Sequence, residues 1–175
     1  MPVARLTLAV LVLLASSTVA EFRGDKTIVI SPELKVSIGE GDEITLSARP
    51  LPGEGLDAFV KRFTEDPRTK SEILSRNEGV KLLRNDVFVR VPYKLLSENY
   101  RRIAIEALFP GDTTDAQWWV HRISALTGKP ESLWRIAEWF TGDGLNYREI
   151  RTSNNLVSLA TESGQVVRIP VKLLT

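Results

Sequence analysis

The chain has 175 residues, with 23 basic and 22 acidic side chains, one histidine and no cysteine. Without cysteine there is no disulfide staple, no thiol catalysis and no lipid-anchoring thiol. The balanced charge argues against nucleic acid, whose binders carry a basic excess to displace counterions, and against electrostatic attachment to anionic lipid.

Residues 1–20 read as a secretory signal, with Arg5 as the positive start, an apolar run over 6–15, and Thr18, Val19 and Ala20 before a cleavage point. That run falls short of the ~20 residues needed to span a bilayer. The expectation is an exported chain in the periplasm or cell envelope, or outside the cell, with no membrane attachment after cleavage. Removal of 1–20 takes away Arg5 alone and leaves 22 basic against 22 acidic residues. The tripeptide Arg23-Gly24-Asp25 is read as part of a flexible polar start.

Residues 21–41 form an extension with two short apolar runs, 27–30 and 34–38, read as strands. A first module is predicted over 42–94. It begins with a strand at 44–48 and a turn containing Pro50, Pro52 and Gly53. From Leu56 the apolar period changes, with Leu56, Phe59, Val60 and Phe63 at i, i+3, i+4 and i+7 on one helix face. Asp66-Pro67 breaks that helix and starts a second, where Ile73 and Leu74 are the expected buried positions. A strand at 87–91, ended by Pro92, closes the module. Residues 95–110 are predicted as an amphipathic connecting helix, capped by Ser97 and ended by Pro110-Gly111. A second module over 117–172 repeats the order, with a strand at 120–125, helices carrying Leu133, Ile136, Ala137 and Phe140 and then residues 146–153, and a strand at 165–169.

The repeat is explicit in the residues. Shifted by 77 positions, residues 54–77 lie on 131–154 without a gap, and eight of the 24 pairs are identical, including Leu56 with Leu133, Phe63 with Phe140, Asp66 with Asp143 and Asn77 with Asn154. Chance would give roughly one or two. One extra residue later moves the offset to 78 and pairs Pro92 with Pro170. Carried forward, it sets Thr175 opposite Ser97, so a second connecting helix, and with it a longer protein, is expected beyond the last residue. The expected fold class is α+β, two small strand-helix-helix-strand modules joined by an amphipathic helix.

Three separated segments of the second module, Ser132-Leu133-Trp134-Arg135-Ile136-Ala137-Glu138-Trp139-Phe140, Asn154-Asn155-Leu156 and Gly164-Gln165-Val166-Val167-Arg168-Ile169-Pro170, resemble a lysin motif (LysM) module. The first copy departs from the pattern, with Asp57 at the place of Trp134 and Asn85-Asp86 at the Gly-Gln corner. The resemblance implies binding of glycans that contain N-acetylglucosamine, chiefly peptidoglycan or chitin, in a groove between the loop after the first strand and the loop before the last. Carried over, that site is Pro130, Glu131, Ser132, Leu133, Trp134, Asn154, Asn155, Leu156 and Val157. A weaker second site is Gly53, Glu54, Gly55, Leu56, Asn77, Glu78 and Gly79. The linked pair also resembles the front part of bacterial cell-wall amidases.

Loop backbone groups and an Asn amide can satisfy an acetamido group, and Leu133 or Leu156 its methyl. The alternative for Asn154 is a helix-ending residue in left-handed geometry. Trp118, Trp119, Trp134 and Trp139 are read first as completing a small core, with sugar stacking by an exposed indole as the alternative. Trp139 lies off the apolar stripe and is expected to be the exposed one, contacting the connecting helix. One histidine without cysteine disfavours a zinc site. Glu131 and Asp143, at opposite ends of one helix, are ~18 Å apart at 1.5 Å per residue, too far for a glycosidase pair. Glu54 and Glu131 are read instead as first-turn charges favouring the helix dipole, and Ser132 as a cap. The functional expectation is a non-catalytic glycan-binding protein with no cofactor and no metal. The alternatives are a targeting part of a cell-wall hydrolase and a protein-docking module that has lost sugar binding.

Overall fold

A computed structural model describes residues 26–77 and 83–174. The signal segment, Arg23-Gly24-Asp25, Glu78, Gly79 and Thr175 lie outside the described residues. Within them the chain is mixed α+β, with two sheets and five α-helices. In order these are β1 (Lys26–Ser31), β2 (Leu34–Ile38), β3 (Ile44–Ala48), α1 (Leu56–Phe63), α2 (Lys70–Ser75), β4 (Val89–Pro92), α3 (Glu98–Leu108), β5 (Thr113–Thr114), β6 (Trp118–Arg122), α4 (Leu133–Thr141), α5 (Tyr147–Ser153) and β7 (Val166–Pro170). Among the described residues no helix is long and apolar enough to cross a membrane.

The periodicities account for the elements. Ile44, Leu46 and Ala48 are buried along β3 while Thr45 and Ser47 between them are half-exposed, the period of two that a one-sided sheet requires. In α1 the buried residues are Phe59, Val60 and Phe63; in α4 they include Leu133, Ile136, Ala137 and Phe140. Burying each such large side chain contributes about 1.5–3 kcal/mol. Helix α4 stops at Gly142, whose φ of 71° is the left-handed cap geometry that disfavours a Cβ. Both copies then restart alike. The Asp66 carboxylate accepts from the Arg68 N–H, and the Asp143 carboxylate from the Leu145 N–H, each opening a 3-10 turn that leads into the second helix.

Several boundaries differ from expectation. Pro92 and Pro170 are the last residues of β4 and β7 rather than stops before them. Each strand lies at a sheet edge, where the missing N–H leaves no ladder bond unmade. The strand opening the second copy is β6, which begins at Trp118 rather than Val120 and so takes in both tryptophans. Leu74 is exposed, and only Ile73 of the expected pair is buried in α2. The extension is not separate. Strand β2 pairs antiparallel with β3 from Leu34↔Ala48 to Ile38↔Ile44, giving one sheet in the order β1-β2-β3-β4. In the second sheet, β5-β6-β7, the short β5 occupies the corresponding flank.

Helix α3 packs its apolar face on the first half of the chain. The Tyr100 ring lies 4.5 Å from that of Phe63, and Ala104, Ile105 and Leu108 are buried. Just beyond the helix, Phe109 sits among His121, Trp139 and Phe140, at ring distances of 4.7, 5.7 and 6.0 Å. Polar bonds also cross between the halves. The Tyr93 hydroxyl donates to the Trp139 carbonyl, Arg135 Nη2 to the Gly41 carbonyl at 2.7 Å, and Thr127 Oγ1 to Asp42 Oδ1 at 2.7 Å.

Candidate glycan-binding loops

In the second copy, the loop from β6 to α4 carries Pro130 to Trp134. Glu131 is buried, and its carboxylate accepts from the Ser124 N–H (2.9 Å), the Ser124 hydroxyl (2.7 Å) and the Leu126 N–H (3.3 Å). Burial opposes its charged form, but the hydrogen bonds from Ser124, Leu126 and its own N–H outweigh that cost, and the carboxyl sits below its ordinary pKa. It therefore staples its own loop and is not a first-turn charge of α4, which begins after the N-cap Ser132. Ser132 caps as expected, its Oγ accepting from the Arg135 N–H at 3.2 Å. Leu133 is 1 % exposed, inside the core. Pro130 and Trp134 face solvent.

Across from this loop, Asn154 has its amide fully committed. Its Nδ2 donates to the Ile150 carbonyl (2.7 Å) and the Arg168 carbonyl (2.6 Å), and its Oδ1 accepts from the Arg168 N–H (2.8 Å). That amide pins the end of α5 to β7. The left-handed residue is Asn155, with φ of 53°, rather than Asn154, with φ of −100°. Leu156 is half-buried and Val157 is exposed, and the Arg151 guanidinium holds both of their carbonyls, at 3.0 and 2.8 Å. Thr161 Oγ1 donates to the Glu131 carbonyl at 2.6 Å and so ties the two loops together. Of the nine residues expected to form this site, Glu131, Leu133 and Asn154 serve the fold. Pro130, Ser132, Trp134, Asn155 and Val157 present surface, and Leu156 is half-buried between the two groups.

The first copy follows the same plan. Asn77 donates to the Ile73 and Arg90 carbonyls, both at 2.7 Å, and accepts from the Arg90 N–H at 2.8 Å, matching Asn154 bond for bond. Glu54 accepts from the Leu51 N–H (2.9 Å) and from Arg62 Nη2 (2.6 Å). Gly55 is the N-cap of α1 with no side chain to offer, Leu56 is half-buried, and Gly53 turns the loop at φ of 76°. Between this loop and the one before β4 lies an open cleft of about 580 Å³, lined by Leu51, Pro52, Gly53, Glu54, Leu83, Arg84, Asn85 and Asp86. The last four are functional candidates that sequence reasoning missed. The Asn85-Asp86 departure from the Gly-Gln corner marked the place without identifying it as a wall.

The remaining candidates pack or pair. His121 is fully buried, with Nδ1 2.8 Å from Asp112 Oδ2, and Trp119 Nε1 donates to the same oxygen at 2.8 Å. Trp139 is 4 % exposed, contrary to expectation, because Phe109 and the Tyr93 hydroxyl cover the side of α4 that its own module leaves open. Trp134 is the exposed indole, at 48 %. Comparison of the chain with protein-family models finds no match, and neither does comparison with curated proteins or with solved structures.

Proposed function

We propose that the chain is an exported, non-catalytic binder of a glycan containing N-acetylglucosamine, with peptidoglycan as the first choice, built from two LysM-like modules. The observation that carries this reading is the cleft of about 580 Å³ between the loop after β3 and the loop before β4. It shares Gly53 and Glu54 with the groove implied by the sequence resemblance, in the copy that matches the pattern less well, while its other wall is Leu83 to Asp86. Its lining suits an acetamido sugar: Asn85 offers amide donors and an acceptor, the ion pair of Arg84 with Asp86 at 2.7 Å sets a polar edge beside it, and Leu51 and Leu83 give apolar surface to the methyl group. In the second copy, Pro130, Ser132, Asn155 and Val157 occupy the corresponding loops, so two linked sites on one glycan would raise avidity by about 10² to 10⁴ if both engage.

Pull-down on insoluble peptidoglycan and on chitin tests this. Retention on either supports it, with Asn85→Ala reducing retention, and absence of retention on both overturns it. A second reading, docking of a protein partner, draws on a groove of about 350 Å³ between α3 and the second copy, floored by Ile105, Trp119, Trp139 and Phe140 and rimmed by Glu98 and Arg102. Amide shift mapping with N-acetylglucosamine oligomers separates the two readings. Shifts at Gly53 and Asn85, or at Ser132 and Asn155, favour sugar.

A further inference from the structure

The two copies differ most informatively on one exposed helical face. At the repeat offset, Asp57 corresponds to Trp134, Arg68 to Leu145 and Lys70 to Tyr147. In the first copy these positions are charged and solvated: Lys70 Nζ pairs with Asp57 Oδ1 at 2.6 Å, and Arg68 pairs with Asp66. In the second copy the same places hold a pair of rings, Trp134 and Tyr147, with centroids 5.9 Å apart, beside an exposed Leu145. An ion pair has been exchanged for an aromatic pair on an otherwise matching frame.

The indole is held flat. Pro67 of the first copy is replaced by Gly144, which is buried. A Cβ added there would lie nearest to Trp134 Cε2, with Cζ2 and Nε1 next at 2.6 and 2.7 Å. An atom approaching the ring edge along the outward bisector at Cε2 would meet Cζ2 and Nε1 at least as closely as Cε2. Cε2 coming first is the pattern of an atom above the ring face. One face of the indole therefore rests on Gly144, and the residue is still 48 % exposed, against 6 % for Trp119 and 4 % for Trp139. Packing explains those two and leaves the outer face of Trp134 without a core role.

We infer that the outer face of Trp134, flanked by Tyr147, is a stacking platform for a pyranose ring, distinct from the cleft of the first copy and confined to the second copy. The inference rests on the glycan reading above and adds a contact surface to it. An aromatic face carries negative charge density and attracts the polarised C–H groups on one side of a sugar ring. Arg148, with its guanidinium 5.9 Å from the Tyr147 ring, brings N–H donors for hydroxyls at the edge. Size selects a ring over a protein surface, because three side chains are far less than the ~800 Å² per partner that a stable protein interface buries.

The test titrates the whole chain with a soluble N-acetylglucosamine hexamer, following the indole N–H resonances and the binding constant, beside retention on peptidoglycan. The Trp134 indole resonance, assigned by its loss in Trp134→Phe, shifts saturably, while that of Trp119, bonded to Asp112, stays still. Trp134→Ala weakens binding about three- to tenfold and Trp134→Phe recovers most of it. The double variant Trp134→Asp with Tyr147→Lys installs the ion pair of the first copy, so it keeps the fold and loses the same affinity. Wild-type retention on peptidoglycan with a still Trp134 indole and unchanged variants overturns the platform and leaves the glycan reading standing. No binding of wild type to hexamer or peptidoglycan overturns both. A concentration-dependent self-association abolished by Trp134→Ala, with hexamer affinity unchanged, also overturns it.

Discussion

Asn154 and Asn77 each satisfy two carbonyls and one strand N–H, in both copies, with the same partners at the repeat offset. Removing either amide strands backbone groups between a helix end and an edge strand, and around Asn77, which is buried, an unsatisfied group costs about 1–3 kcal/mol. Asn77→Ala should therefore lower the unfolding free energy by that amount, seen as a lower urea midpoint at unchanged denaturant slope; a loss under ~0.5 kcal/mol would mean that water replaces the amide without penalty. Glu131 gives a pH-dependent counterpart. Its folded pKa lies below the ordinary value, so its contribution is present above the unfolded pKa and is lost as pH falls through the lowered folded one. The difference in melting temperature between wild type and Glu131→Gln should be largest above about pH 5 and shrink toward pH 2, where both carboxyl and amide are neutral. A difference that holds constant across that range would rule out this account. Neither role was legible from type alone. An Asn before a loop and a Glu before a helix fit capping, charge and ligand roles equally well, and only the positions of Arg168 and Ser124 in space decide between them.

At the level of elements, the helix stripes and the alternation in β3 were legible because each depends only on the period at which a side chain returns to the buried face. What failed depends on neighbours distant in sequence. Trp139 lies off the α4 stripe yet is buried, since a second surface, supplied by Tyr93 and Phe109, covers it. Likewise the cleft walls Leu83 to Asp86 carry no periodic signal and meet Leu51 to Glu54 only after folding. The Trp134 frame gives an element-scale prediction. Gly144→Ala drives a Cβ into the indole, and because the half-exposed ring can shift outward the cost should be about 1 kcal/mol, the low end for overpacking. In a Trp134→Ala background most of that cost should vanish, because the group it collides with is gone. Additive losses in the double-mutant cycle would show that the glycine serves its own backbone rather than the ring.

For the whole molecule, the decisive feature is that the two copies meet through Tyr93 and Phe109, the residues that flank α3. Tyr93, at the end of the first copy, is buried against the Trp139 carbonyl of the second, and Phe109 packs on Trp139, Phe140 and His121. Modules this small bury a modest share of their surface alone, so the shared contact should couple their unfolding. The chain carries its own local probe, because all four tryptophans lie in the second copy, at 118, 119, 134 and 139. Tryptophan fluorescence therefore reports that copy, while far-ultraviolet circular dichroism reports both. In wild type the two signals should give one coincident urea transition. Phe109→Ala removes a buried ring from the junction at a cost of about 3–5 kcal/mol, which falls on the contact between copies as much as on either core. In that variant the fluorescence transition should move to lower urea than the dichroism transition, and the latter should broaden. Coincident transitions in Phe109→Ala would mean that Tyr93 and the Arg135 and Thr127 bonds suffice to couple the copies. Adding Tyr93→Phe, which leaves the Trp139 carbonyl without its donor, should then separate the transitions; if they still coincide, the coupling does not run through this junction.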